Sequence, residues 1–224
     1  MINILRELEE QRWDDHRYYH QSRINQSLHL ISAFSFLTAY FYLAINPMIS
    51  AFMGWGVAMV SRQIGHFFFE PHDYDKVNRV SHSYKEEIKV GYNLKRKIVL
   101  LSIWALTPVV LWMNPGFFGL VEAQTSWNGY LYNLSLIWIA LGMAALLFRT
   151  VQLFFIRDVT TGLIWLLKII TDPLNDIRMY YRSPFYLMRG QLIDPMDDLD
   201  PPQSERTEAE NAHYCSGINP SPPG

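Results

Sequence analysis

The chain has 224 residues, half of them hydrophobic, with seven tryptophans and a formal net charge of -2. Its single cysteine, Cys215, excludes an intrachain disulfide framework and a cysteine-built metal site. No phosphate-binding glycine loop, H-E-x-x-H zinc motif, G-x-S-x-G elbow, internal repeat or nucleic-acid signature is present.

A mean hydropathy near zero hides apolar blocks that alternate with polar ones. Residues 1–27 read as an amphipathic interfacial segment with four arginines and an aromatic patch of Trp13, Tyr18 and Tyr19. They lack the apolar centre and cleavage site of a signal peptide. Leu30–Ile45 is a first apolar run, Asn46-Pro47 a tight turn, and Met48–Phe69 a return run, together a helical hairpin. Residues 70–97 form a polar loop with seven Lys or Arg. Within it, Val80–Lys97 reads as a helix carrying a stripe of His82, Glu86, Lys89 and Asn93.

Ile98–Met113 is a third run, kinked at Pro108, and Asn114–Asn128 is a loop without a basic residue. Tyr130–Phe148 is the fourth and cleanest run by length. In Arg149–Gly190 the stretch TTGLIWLLKII reads as interfacial, because Arg157 and Asp158 interrupt the apolar pattern. Residues 191–224 are acidic and proline-rich, a composition that does not bury a core. The expected fold is all-α, an integral membrane bundle of about four transmembrane helices over residues 28–190, with amphipathic interfacial helices.

Lys and Arg number four before the first run, seven between the second and third, and six in Arg149–Arg189, with none in the two remaining connections. The positive-inside rule then puts both termini and the central loop in the cytoplasm, in a reticulum-like membrane or a bacterial inner membrane.

The stretch Ser61–Glu70, SRQIGHFFFE, places polar groups where a membrane segment is usually apolar. Gln63, His66 and Glu70 fall within a stripe of about 60° on a helix. Ionisable groups at membrane depth are costly and mark functional sites. Of seven histidines, His16, His20, His29, His66, His72 and His82 cluster towards the cytoplasmic face, which invites a metal site, whereas tolerated interfacial positions are the plain alternative. His20 and His29 are nine apart and would lie on opposite faces of one unbroken helix. A shared metal therefore requires a break, with Ser22 or Asn25 capping a new helix. His16, among charged residues, reads as surface, while His82 reads as a further ligand on a helix docked beside the hairpin. His72 and His213 carry little weight.

Tyr19-His20, Asn25 and His29 spell YHxxxxNxxxH, and Gln63, Gly65, His66 and Glu70 spell QxGHxxxE. These two patterns, in this order, resemble the small integral-membrane family of iron-dependent 2-hydroxy fatty acid dioxygenases. The match covers roughly residues 15–72. The family commonly follows the glutamate with a basic stretch and a proline-alanine pair, whereas this chain reads EPHDYDKVNRVSH. The resemblance implies an Fe(II) cofactor, with 2-hydroxy fatty acid and O2 as substrates and oxidative loss of one carbon, as in fatty acid α-oxidation. By position His20, His29 and His66 carry over as metal ligands, with His82 added from the reading above. Asn25, Gln63 and Glu70 carry over as motif residues supporting the site. Lys89, Arg96 or Arg62 would hold the substrate carboxylate. The alternatives are another histidine-metal lipid hydroxylase, and a non-catalytic scaffold or lipid-binding protein whose basic face contacts anionic lipid.

Overall fold

A computed structural model of the chain describes residues 4–70, 74–75, 78 and 81–195. His72, His213, Cys215 and the tail from residue 196 lie outside the described residues, as does part of the polar loop. The described residues form an all-helical structure without a β-strand.

Helix α1 (Ile4–Tyr19) ends where α2 (Arg23–Tyr42) begins on a new axis. Ser22 is the cap: its backbone is extended, and its hydroxyl accepts from the Asn25 amide. A fresh helix start leaves backbone N–H groups to satisfy. The C-terminal segment satisfies one of them, since the Arg23 amide donates to the Leu192 carbonyl at 2.9 Å. The Asp194 amide donates back to the Gln21 carbonyl at 2.8 Å. The first residues of the expected tail are thus part of the folded unit.

α2 is the central helix, packed against the returning arm of the hairpin and against the two C-terminal helices. Its buried face is built from small and polar side chains, among them Ser32, Ala33, Ser35 and Ala39, which let neighbours approach closely. At the expected turn the Asn46 side chain accepts from the Met48 and Ile49 amides, and Pro47 opens α3 (Pro47–Ala51). α3 continues through a π-helical stretch (Phe52–Met59) into α4 (Val60–Phe68), so the returning arm is one long, locally widened helix. Such π-helical insertions are frequent at functional sites.

The expected helix Val80–Lys97 is broken. α5 (His82–Ile88) stops at Lys89, whose ψ of 116° leaves the helical region, and Asn93 caps α6 (Leu94–Met113) by accepting from the Arg96 amide. Lys89 and Asn93 therefore lie beyond the helix that carries His82, and the four-residue stripe does not form. The cause is local: Gly91 and a good capping asparagine interrupt the run. Arg149 closes the gap by donating to the Val90 and Gly91 carbonyls.

α7 (Trp127–Ile156) is longer than the fourth apolar run and ends about two turns past Arg149 and one past Gln152. α8 (Val159–Tyr180) starts at the Asp158 cap, so the charged interruption read from the sequence is a helix start. A short α9 (Ser183–Met188) packs on α2. Trp55 donates to the Trp138 carbonyl at 2.7 Å and stacks on Trp104, tying the π-helical stretch to α6 and α7.

Among the described residues two helices, α6 and α7, are long and apolar enough to cross a membrane. Their apolar windows are only 11% and 17% buried inside the protein, so the hydrophobic faces point outward rather than into a core.

α2 and α4 meet where Asn25 faces Gly65. A Cβ at position 65 would overlap the Asn25 side-chain oxygen and lie 3.1 Å from its Cγ. Asn25 has no room to retreat, being fully buried and donating to the Tyr19 carbonyl at 2.8 Å. Gly65→Ala is expected to destabilise the fold by about 1–3 kcal/mol, as overpacking does. Thermal unfolding in detergent measures it, and an unchanged midpoint would show that this approach is not tight.

Candidate metal centre

Three imidazoles converge from three directions: His20 in the α1–α2 break, His29 on the second turn of α2, and His66 near the end of α4. Ring centroids are 4.1 Å apart for His20–His29, 5.0 Å for His29–His66 and 5.3 Å for His20–His66. One ring nitrogen from each lies within 4.8 Å of the other two, so the group can hold a metal ion.

Each ring is held by its Nδ1. His20 Nδ1 lies 3.0 Å from the Tyr180 hydroxyl, His29 Nδ1 lies 3.4 Å from Asp176 Oδ2, and His66 Nδ1 lies 2.7 Å from Glu70 Oε2. The buried Nε2 atoms of His20 and His29 have no hydrogen-bond partner. Buried polar atoms are rarely left unpaired. Two orphaned imidazole nitrogens beside a third ring, each ring fixed from behind by an oxygen, is the arrangement metal-ligating histidines adopt. The residues present therefore fit a metal held by His20, His29 and His66.

Burial, with help from the nearby His29, pushes the His20 pKa well below its ordinary value, so the ring is neutral and its lone pair available. If Nε2 is the ligand atom, Nδ1 carries the proton and donates to the Tyr180 oxygen. Tyr180 has one proton of its own, which then goes to His16 Nδ1 at 3.0 Å. His16 had been read as surface, but it is 3% exposed, and burial brings its pKa down to about 4. Its place under α8 explains the difference, because Arg12 and Asp15 near it pair with that helix.

The α8 side of the site was not read from the sequence. Lys168, Asp172, Asp176 and Tyr180 recur every four residues and are all buried on one face. Lys168 pairs with Asp15 and Asp172, Arg12 with Asp172, and Arg62 with Asp176. Burial raises the Asp176 carboxyl, while the Arg62 charge and hydrogen bond pull it the other way. A period-four polar stripe inside an apolar helix was the available signal, hidden because the segment reads as merely amphipathic. Gln26 was missed as well. It donates to the His20 carbonyl and to Asp194, both at 2.7 Å, and accepts from Arg23 and Ser183. Its four bonds fix the backbone of the break that carries His20.

The other predicted residues divide. Glu70 orients His66 and lies 3.7 Å from Lys89, whose ammonium also sits over the Tyr19 ring. Asn25 braces the α1–α2 break from behind. The Gln63 amide nitrogen approaches Met59 Sδ at 3.3 Å, and its buried oxygen has no partner. Arg62 and Lys89 line the cavity described next, but Arg96 does not; Lys97, one residue on, does. His82 sits half-buried on α5 and is not part of the histidine group. With the helix broken at Lys89, α5 does not carry it to the other three rings.

A cavity of about 420 Å³ opens from the histidines. Arg62, Gln63, Lys89 and Lys97 line it together with the charged layer of Arg12, Asp14, Asp15, Lys168, Asp172 and Asp176, while Phe36, Ala39 and Leu43 of α2, with Gly54 and Trp55, give it an apolar wall. Charged groups beside an apolar wall suit an amphiphile.

No family model matches the chain, and no curated protein and no solved structure matches it.

Oxygen partners behind ligating imidazoles set ring orientation and basicity. Tyr180→Phe and Asp176→Asn are each expected to weaken metal binding about 10–100-fold, and Asp176→Asn also to lower the melting temperature, because it leaves Arg62 buried without its carboxylate. Metal titration of the purified variants checks this, and wild-type affinity in both would contradict the orienting role.

Proposed function

We propose that the chain is a membrane-embedded, Fe(II)-dependent dioxygenase that removes one carbon from 2-hydroxy fatty acids. The observation that carries the reading is the histidine group itself, which has two orphaned nitrogens and lines a cavity with an apolar wall. The resemblance of the YHxxxxNxxxH and QxGHxxxE patterns to that enzyme family supports the choice of iron and substrate. A single three-histidine group among the described residues suits one metal better than the two-iron site of other lipid hydroxylases.

In this reading α2, the α3–α4 arm, α6 and α7 span the bilayer, and the basic segments keep both termini and the histidines on the cytoplasmic side. The outward apolar faces of α6 and α7 support it. Fatty substrate then reaches the site from the bilayer rather than from water.

Fe(II) held by His20, His29 and His66 would supply the means to activate O2 beside a hydroxy acid. Overall, a 2-hydroxy acid and O2 give an acid one carbon shorter, CO2 and water; the C1–C2 bond breaks and no outside reductant is needed. The chain's own residues do the rest. Lys97, Lys89 and Arg62 give the cavity positive charge for a carboxylate. The Gln63 oxygen, lacking a protein partner, accepts from the substrate hydroxyl. Glu70, Asp176 and Tyr180 hold the three rings, and the apolar wall excludes water from the reacting end.

After anaerobic reconstitution, stoichiometric iron and O2-dependent release of CO2 from a 2-hydroxy fatty acid are expected. His66→Ala should lose both while melting near the wild-type temperature. Iron uptake without any turnover of 2-hydroxy acids would overturn the substrate assignment, and failure to take up iron would overturn the enzyme.

A further inference from the structure

The cavity extends well beyond the reacting end. It follows α2 from His29 to Leu43, which at the helical rise is about 21 Å. The α2 residues that line it past His29, namely Phe36, Ala39, Tyr40 and Leu43, carry no charge, so this length is matched by a single hydrocarbon chain with its acidic head among Arg62, Lys89 and Lys97. Part-way along, two small residues face each other: a Cβ built on Gly54 would lie 3.6 Å from the Ala39 Cβ and meet nothing else within 4 Å. Next to them Trp55 cannot swing aside. Its indole donates to the Trp138 carbonyl and stacks on Trp104, and a Cβ on Gly142 would lie 3.4 Å from its ring.

Resting on the fatty-acid reading above, we infer that the Ala39–Gly54 pair, backed by Trp55, is the constriction that sets the longest acyl chain the site accepts. An acyl chain runs past this close contact towards Leu43, and a larger side chain at either position, with no room between the helices, projects into its path. An extended chain covers about 1.2 Å per bond, judged from about 3.6 Å for the three bonds of an extended residue. The full cavity then takes about 17 bonds, while the constriction, about 15 Å from His29, lies about 12 bonds in. The π-helical stretch that carries Gly54 and Trp55 gives this part of the wall its shape.

The test is saturable binding of saturated 2-hydroxy acids of increasing length to the metal-free protein in lipid nanodiscs, corrected with empty nanodiscs. In the wild type, affinity should rise about fourfold per methylene and level off near 17 carbons. In Gly54→Leu and, separately, Ala39→Leu, the levelling should come about five carbons earlier, with shorter acids bound as before. Two variants guard against misfolding of one, and a melting curve identifies any that misfolds. A wild-type limit retained in the folded variants, or no saturable binding by the wild type, would overturn the inference. A length limit that shifts as stated, in a protein that consumes no O2 when loaded with iron, would leave the constriction standing and defeat the dioxygenase instead.

Discussion

The break between α1 and α2 is the constraint on which the site depends. On one continuous helix His20 and His29 would face opposite ways, and no metal would see both. The chain turns between them because Ser22 caps a new helix and Gln26 grips the His20 carbonyl. Leu192 and Asp194, from far along the chain, pair with the backbone exposed by the turn. Buried backbone groups must find partners, and the C-terminal segment supplies two of those the break needs. The ligand geometry is therefore a tertiary property: the N-terminal hairpin supplies all three rings, and the far end of the chain holds one of them in position.

The charged layer between α1, α4 and α8 follows from the same need. Bringing His20, His29 and His66 into a water-poor interior calls for oxygen partners behind the rings, and Tyr180, Asp176 and Glu70 provide them in that order. Buried carboxylates in turn need cations, which are Arg62 for Asp176, Lys168 and Arg12 for Asp172, and Lys89 for Glu70. Such pairs add little net stability, because desolvation offsets their attraction, yet removing one partner is strongly destabilising. Their effect here is positional: each fixes a group that touches a histidine or the next pair. Gly65 completes the arrangement by letting Asn25, and with it the end of α1, come against α4.

Much of the site could be read from the chain alone. The spacing of His20 and His29 demanded a break, and Ser22 is where it falls. The Asn46-Pro47 turn and the polar end of the returning arm also stand where their residue types placed them. What periodicity missed lay in long-range pairing. The α8 stripe from Lys168 to Tyr180 is polar on its buried side, the reverse of the rule by which amphipathic helices are read. His16 looks solvated because the sequence sets it among charges, yet two of them, Arg12 and Asp15, face α8. His82 sat on a helix drawn too long, since the glycine and capping asparagine that interrupt it were outweighed by the spacing of charges.

The central claim is that three imidazoles from the N-terminal half share one iron. X-ray absorption at the iron edge of the anaerobically loaded protein addresses it directly, because imidazole rings leave a distinctive outer-shell scattering pattern. The account predicts three imidazole ligands in the wild type and two in His29→Ala. Iron surrounded by oxygen donors without ring scattering, in a spectrum that His29→Ala leaves unchanged, would contradict it.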